Sequence, residues 1–136
     1  MDVRIRLVLR IIEERAGVLD ISPAQLGELL GLGEARLLRL FNAEVGKTFR
    51  SYLRDVRMTR AAEMLTNYAL PIKTIASACG YSAPTNFHRD FKIVHAITPV
   101  RMRFLQMSRN RTADRMYPQA PESKEAWGSG QRYIAM

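Results

Sequence analysis

The sequence predicts an all-α fold, two helix-turn-helix subdomains joined by a long linker helix, with about seven helices in total. Three observations carry that expectation. Apolar residues recur at helical spacing along most of the chain. Helix start and stop signals fall at short, regular intervals. An apolar–x–Arg–x–Phe pattern occurs twice, as Leu37-x-Arg39-x-Phe41 and as Phe87-x-Arg89-x-Phe91, at an offset of 50.

The first element is the least certain on pattern. Val3, Ile5, Leu7 and Leu9 alternate as a strand would, whereas Val8, Ile11, Ile12 and Arg15 step like a helix. A cap at Asp2, the acidic pair Glu13–Glu14 and a stop at Gly17 favour a helix over residues 3–16. Ser22-Pro23-Ala24-Gln25 is a capping box with proline at the first helical position, followed by Leu26, Leu29 and Leu30 as the apolar stripe. The run from Gly31 to Gly33 breaks that helix. The next spans Glu34 to Val45, with Leu37, Leu40 and Phe41 inward and Gly46 as its end.

Thr48 caps the linker helix, over about residues 48–66, with Phe49, Tyr52, Leu53, Val56, Ala61, Met64 and Leu65 apolar. Pro71 opens a helix through Ile72, Ile75, Ala76 and Cys79, which Gly80 stops. Ser82 is the expected cap of the next, which runs to about His95. There Phe87 and Phe91, four apart, share one face while His88 and Arg89 turn away from it. Thr98-Pro99 starts a last short helix towards Met107. Beyond Ser108, Pro118, Pro121 and the Gly128–Gly130 run break the pattern, so residues 108–136 are expected to form a flexible tail. Trp127 and Tyr133 are its only features suited to docking.

The repeat extends past the motif, since Thr48 aligns with Thr98 and Gly46 with Ala96. At an offset of 49, Leu26, Gly31 and Leu32 fall on Ile75, Gly80 and Tyr81. Each repeat, over about residues 22–45 and 71–95, is a short helix, a glycine turn and a second helix. That is the outline of a helix-turn-helix, whose second helix enters the major groove. A linker of 19 residues would span about 28 Å, near the roughly 34 Å between successive major-groove entries on one face of B-DNA.

Charge agrees with such a partner. The net charge is +8, the isoelectric point is about 10.2, and most of the 21 cations are arginine, the side chain suited to bidentate pairing with phosphate and guanine. Anionic membranes, RNA and acidic proteins attract the same charge. No apolar run is long enough to span a bilayer, and Arg4, Arg6 and Arg10 interrupt any secretory signal. The single cysteine, Cys79, forms no internal disulfide and reads as a small core hydrophobe. The expected location is the cytoplasm.

Catalysis is not expected. His88 and His95 lack the cysteines or carboxylates that would complete a zinc site, no serine or threonine has a recognisable base beside it, and no glycine-rich phosphate loop is present. No catalytic residue, metal or cofactor is therefore assigned. The alternatives are a transposase or recombinase arm, disfavoured because the 13 acids are scattered, and a helical protein-interaction module.

The same residues resemble the AraC/XylS family of bacterial transcription regulators. The second repeat is the closer match: Ile75-Ala76, Gly80-Tyr81-Ser82, Phe87-x-Arg89-x-Phe91-Lys92, and Thr98-Pro99 followed by Arg103. The first adds Leu37-x-Arg39-x-Phe41, Gly46, Phe49, Tyr52, Arg57, Ala61 and Leu65, so the resemblance covers about residues 4–106. It implies a DNA-binding domain over residues 1–107 that binds double-stranded promoter DNA and acts on transcription, with RNA polymerase as a further possible partner.

By that resemblance the base-edge positions are Ala35, Leu38 and Arg39 in the first repeat and Thr85, His88 and Arg89 in the second, flanked by Arg36 and Pro84. Lys47, Arg50, Lys92 and Arg101 are the expected phosphate contacts. Most relatives carry a separate ligand-binding or dimerisation domain, and no small-molecule domain is expected within this chain. Departures from the family pattern fall at Gly27 for alanine, Gly33 for a serine cap, Asn42 for lysine, Ala96 for glycine and Met102 for an aromatic residue. Gly27 should cost about 1 kcal/mol of helix propensity. Because Ala35 and Leu38 have no polar atoms to offer a base, the second repeat is expected to carry more base specificity.

Overall fold

In the computed structural model, which describes residues 1–116, the helices are α1 (Val3–Glu14), α2 (Pro23–Leu29), α3 (Glu34–Val45), α4 (Phe49–Met64), α5 (Ile72–Ala78), α6 (Pro84–His95) and α7 (Pro99–Met116). Among the described residues there is no strand. The expectations for residues 117–136, with Trp127 and Tyr133, lie outside the described residues.

The ambiguous first segment is a helix because its inward face repeats at three and four residues: Ile5, Val8 and Ile12 are fully buried. Asp2 caps it by accepting from the Arg4 amide at 2.8 Å. Hydrogen bonds from Arg4, the side chain's first, hold the Asp2 carboxyl down at about 2. The chain reverses through Ala16 (φ 53°) and Gly17 (φ 80°). The capping box of α2 closes from both sides: Ser22 Oγ accepts from the Gln25 amide at 3.2 Å, and Gln25 Oε1 accepts from the Ser22 amide at 2.9 Å.

The chain divides into two compact units, Met1–Arg103 and a second that begins at Phe104. Within the first unit, two separate apolar cores share α4. Ile5, Val8, Ile12, Leu26, Leu32, Leu37, Phe41 and Phe49 form one core, with Tyr52, Leu53 and Val56 against it. Met58, Ala61, Leu65, Ile75, Ala76, Cys79, Phe87 and Phe91 form the other, with Met102 against it. The linker helix therefore gives its first half to one helix-turn-helix and its second half to the next.

The repeat is longer than the motif suggests. Met58, Ala61 and Leu65 occupy the second core at the same i, i+3, i+7 spacing that Ile5, Val8 and Ile12 occupy in the first. At the far end, Thr48 Oγ1 accepts from the Ser51 amide and Thr98 Oγ1 from the Arg101 amide, each at 3.1 Å. Phe49 and Pro99, which follow these caps, are both buried. Each subdomain is thus a packing helix, a helix-turn-helix and the opening of the next helix.

Four expectations need correction. The cap of α6 is Ala83, not Ser82, and no side chain caps that helix; Pro84 holds its predecessor extended (φ −113°, ψ 120°), so the helix cannot begin earlier. Leu29 is 75% exposed, because α2 is one short helix whose inward pair is Leu26 and Leu30, four apart. The linker has 16 residues, hence about 24 Å rather than 28 Å. The last helix does not stop near Met107 but runs to Met116. No glycine or proline lies between Pro99 and Pro118, and loss of an apolar stripe does not by itself end a helix.

Gly27 reverses the expected energetic sign. A Cβ at this buried position would sit 2.8 Å from the Leu32 carbonyl oxygen, because the turn closes tightly, the Leu32 amide donating to the Gly27 carbonyl at 2.7 Å. The glycine admits the turn rather than merely weakening the helix.

Candidate nucleic-acid interface

The outward positions of α3 and α6 follow from the anchoring of their inward ones. Leu37 and Phe41 are fully buried in α3, and Phe87 and Phe91 in α6. Phe41 packs edge-on against Phe49 and Tyr52, and Phe87 against Tyr81. With the exception of Leu38, the residues one and two places on are therefore turned away from the core.

Of the positions singled out in the first repeat, Ala35, Arg36 and Arg39 are exposed. Leu38 is not: it is half-buried and packs on the first core, since its place next to Leu37 brings it to the edge of the apolar face. In the second repeat Pro84, Thr85, His88 and Arg89 are all exposed. His88 Nδ1–H donates to the Pro84 carbonyl at 2.8 Å, which leaves Nε2 as an outward acceptor in the neutral ring. Arg89 Nε donates to Asp90 Oδ1 at 3.3 Å. That pair is half in solvent, with the Arg89 side chain 59% exposed, so it holds the arginine only weakly against another anion.

The phosphate candidates are less uniform. Arg50 and Lys92 are exposed, Lys47 is engaged with Asp55 at 2.7 Å, and Arg101 is exposed near the α7 cap. A groove of about 580 Å³ joins the N-terminal half of α4 to α6, and Arg50, Arg54, Arg57, Asn86 and Arg89 line it. A smaller depression that shares Arg50 with it is lined by Leu38, Arg39 and Asn42 as well. Arg50 thus connects Arg39 on α3 to Arg89 on α6. Arg36 faces another depression, with Arg4 and Arg39, and Lys92 and Arg101 lie outside the central groove.

The structure adds Arg54 and Asn86 to the set; Arg57 lines the same groove, but its Nε–H is given to the Gly17 carbonyl. Arg50, Arg54 and Arg57 are spaced i, i+4, i+7, a cationic stripe on one helix face that the sequence already contains. The Arg54 Nε atom is buried without a hydrogen bond and lies 3.7 Å from Asp55 Oδ1, while its Nη2 donates to Ser51 Oγ at 3.2 Å. Asn86 had no such signal, because it becomes part of the groove only when α6 packs beside α4. Among the described residues no group of three His, Cys, Asp or Glu side chains gathers to hold a metal.

His95, the other histidine, serves the second core. Its Nε2 meets the Met58 carbonyl at 2.9 Å and its ring lies 4.4 Å from that of Phe91. Arg103 likewise has a structural role, donating to the carbonyls of Leu65 (3.1 Å), Leu70 (2.7 Å) and Asn67 (3.2 Å) and so closing the end of α4. Cys79 is fully buried, and burial pushes its thiol up. No helix of the described residues is long and apolar enough to cross a membrane.

Paired helix-turn-helices with a continuous arginine surface between their second helices define a DNA-binding domain of the transcription-regulator class. A family model described as a helix-turn-helix domain matches residues 26–104. The chain belongs to the AraC/XylS family. It is 26% identical over 84 residues to the probable transcriptional regulator LumQ of Photobacterium leiognathi, covering 62% of this chain and 34% of LumQ. Its fold matches the C-terminal domain of AraT, a response regulator from Geobacillus stearothermophilus, with a TM-score of 0.67 and 25% identity, over 89% of this chain and 91% of that one. It also matches an AraC-type transcriptional regulator from Chromobacterium violaceum in fold, with a TM-score of 0.64 and 23% identity over 85% and 95% of the two chains. The chain thus spans about a third of LumQ's length.

Proposed function

We infer that this domain binds double-stranded promoter DNA sequence-specifically, with α3 and α6 in successive major grooves, and that it regulates transcription by binding rather than by catalysis. The observation that carries this is the Arg39–Arg50–Arg89 surface, continuous from one second helix to the other. Arg89 is suited to guanine O6 and N7, with Thr85 and His88 Nε2 beside it as further hydrogen-bonding groups. Arg36 and Arg39 are the long donors of α3, where Ala35 and Leu38 offer only apolar contact. Arg50 and Arg54 would meet the backbone phosphates between the two grooves, and Lys47, Lys92 and Arg101 those at the periphery. A regulator of this kind works in the cytoplasm beside RNA polymerase, which is the natural protein partner.

Selection of bound duplexes from a random pool, followed by a salt titration on the selected site, tests this. The expected outcome is a two-part motif whose halves lie about one helical turn apart. With about 6 phosphates neutralised, the log–log salt slope should be near −5. An unenriched pool together with a salt-independent signal would point instead to a protein-interaction module.

A further inference from the structure

The two cores meet on α4 between Val56, which packs against the first, and Met58, which is buried in the second. Arg57 stands at that seam and touches both sides. Its Nε–H donates to the Gly17 carbonyl at 2.6 Å, in the turn after α1, and its guanidinium lies 5.7 Å from the Tyr81 ring centroid, in the turn of the second helix-turn-helix. Tyr81 in turn donates its hydroxyl to Asp90 Oδ2 at 2.7 Å. Asp90 also accepts from Arg89, the outward arginine of α6. Two glycines admit this contact. A Cβ on Gly17 would lie 2.9 Å from Arg57 Cγ, and one on Gly80 would lie 3.3 Å from the Val18 side chain.

We propose that Arg57 is a positioning residue for DNA recognition: it fixes the pose of the second helix-turn-helix relative to the first through Gly17, Tyr81 and Asp90. The inference rests on the DNA-binding function above. An arginine suits the position because one planar group donates a directed hydrogen bond along its edge while its face covers an aromatic ring. A lysine ammonium can donate a hydrogen bond or lie over a ring, but it has no planar group to do both at once. The consequence for binding is specific. When two recognition helices are held at the spacing of their half-sites, the second engagement is effectively intramolecular, and a looser joint reduces that advantage without altering either contact surface.

Arg57→Lys therefore separates pose from charge. On the selected two-part site the variant is expected to lose about tenfold in affinity, and on duplexes with one half scrambled less than about twofold. One base pair inserted between the halves should then weaken the parent more than the variant, because a loose joint tolerates the changed spacing. Tyr81→Phe, which keeps the ring and removes the bond to Asp90, should show the same pattern more weakly, and it decides the matter if Arg57→Lys does not fold. Equal loss on complete and half-scrambled sites would overturn the proposal. So would a salt slope smaller by about one, the mark of a lost phosphate contact, or unchanged binding throughout. A parent chain with no affinity for DNA defeats the proposed function itself, whereas a binding parent matched by its variants defeats only the role of Arg57.

Discussion

After the buried leucine of α2 comes Gly27; the equivalent position of α5, after Ile75, is Ala76. In the first turn the amide-to-carbonyl closure is 2.7 Å, from Leu32 to Gly27, and in the second it is 3.0 Å, from Tyr81 to Ala76. The ends of the second helices differ in the opposite sense. Gly46 closes α3 at φ 85°, whereas Ala96 holds the same left-handed position at φ 69° after α6. Each subdomain therefore places one residue against local preference, at a different point of one plan. What they present also differs: α3 shows arginines among apolar neighbours, and α6 shows Arg89 among groups that hydrogen-bond. Similar scaffolds permit unlike surfaces because the inward residues alone determine the packing.

The largest test concerns the cores. Phe41→Ala and Phe91→Ala should each cost about 3–5 kcal/mol in denaturant unfolding, since both rings are fully buried. Because α4 contributes to both cores, each variant should still unfold in a single transition by circular dichroism. Two resolved transitions would mean that the subdomains are independent and that α4 does not couple them.

The surfaces come next. Arg89→Ala should cost about 1–3 kcal/mol on the matched site and much less on a scrambled one, relaxing preference at one base pair. Arg39→Ala should weaken binding to both sites by similar factors, as loss of a phosphate contact does. Matched and scrambled duplexes titrated at one salt concentration distinguish them, and equal losses for Arg89→Ala would remove its base-reading role.

The turns give smaller effects. Gly27→Ala gains about 1 kcal/mol of helix propensity but forces a methyl against the Leu32 carbonyl, an overpacking cost of about 1–3 kcal/mol. A net loss of about 1 kcal/mol is expected; a more stable variant would show that the first turn can open to the spacing of the second. Smallest is Ala96→Gly. The left-handed conformation costs an alanine about 1–2 kcal/mol, part of which glycine returns through its freer unfolded chain. Thermal melts should show a gain of about 0.5–1 kcal/mol, and Gly46→Ala a loss of similar size.

Which of these features were legible beforehand follows the range of the interaction. The buried i, i+4 pairs of α3 and α6, the Ser22 capping box and the glycine stops are local, so each can be read within a few residues, and α3 runs from Glu34 to Val45 as its pattern predicts. The arginine surface was half legible, since Arg39, Arg50 and Arg89 each lie in a recognisable pattern and no pattern puts them on one surface. The end of α7 was misread because composition reports burial, and an exposed helix without breakers carries no apolar period.

Sequence by itself determined the order of the helices, the inward pairs of α3 and α6 and the repeat, because spacing along one helix fixes which side chains share a face. Only tertiary structure decided the rest. It split α4 between two cores, turned Gly27 from a weak helix position into a required one, and brought Gly17, Arg57, Tyr81 and Asp90 together. These depend on contacts between residues as much as 40 positions apart, whose geometry is set by how whole helices pack and not by any local preference.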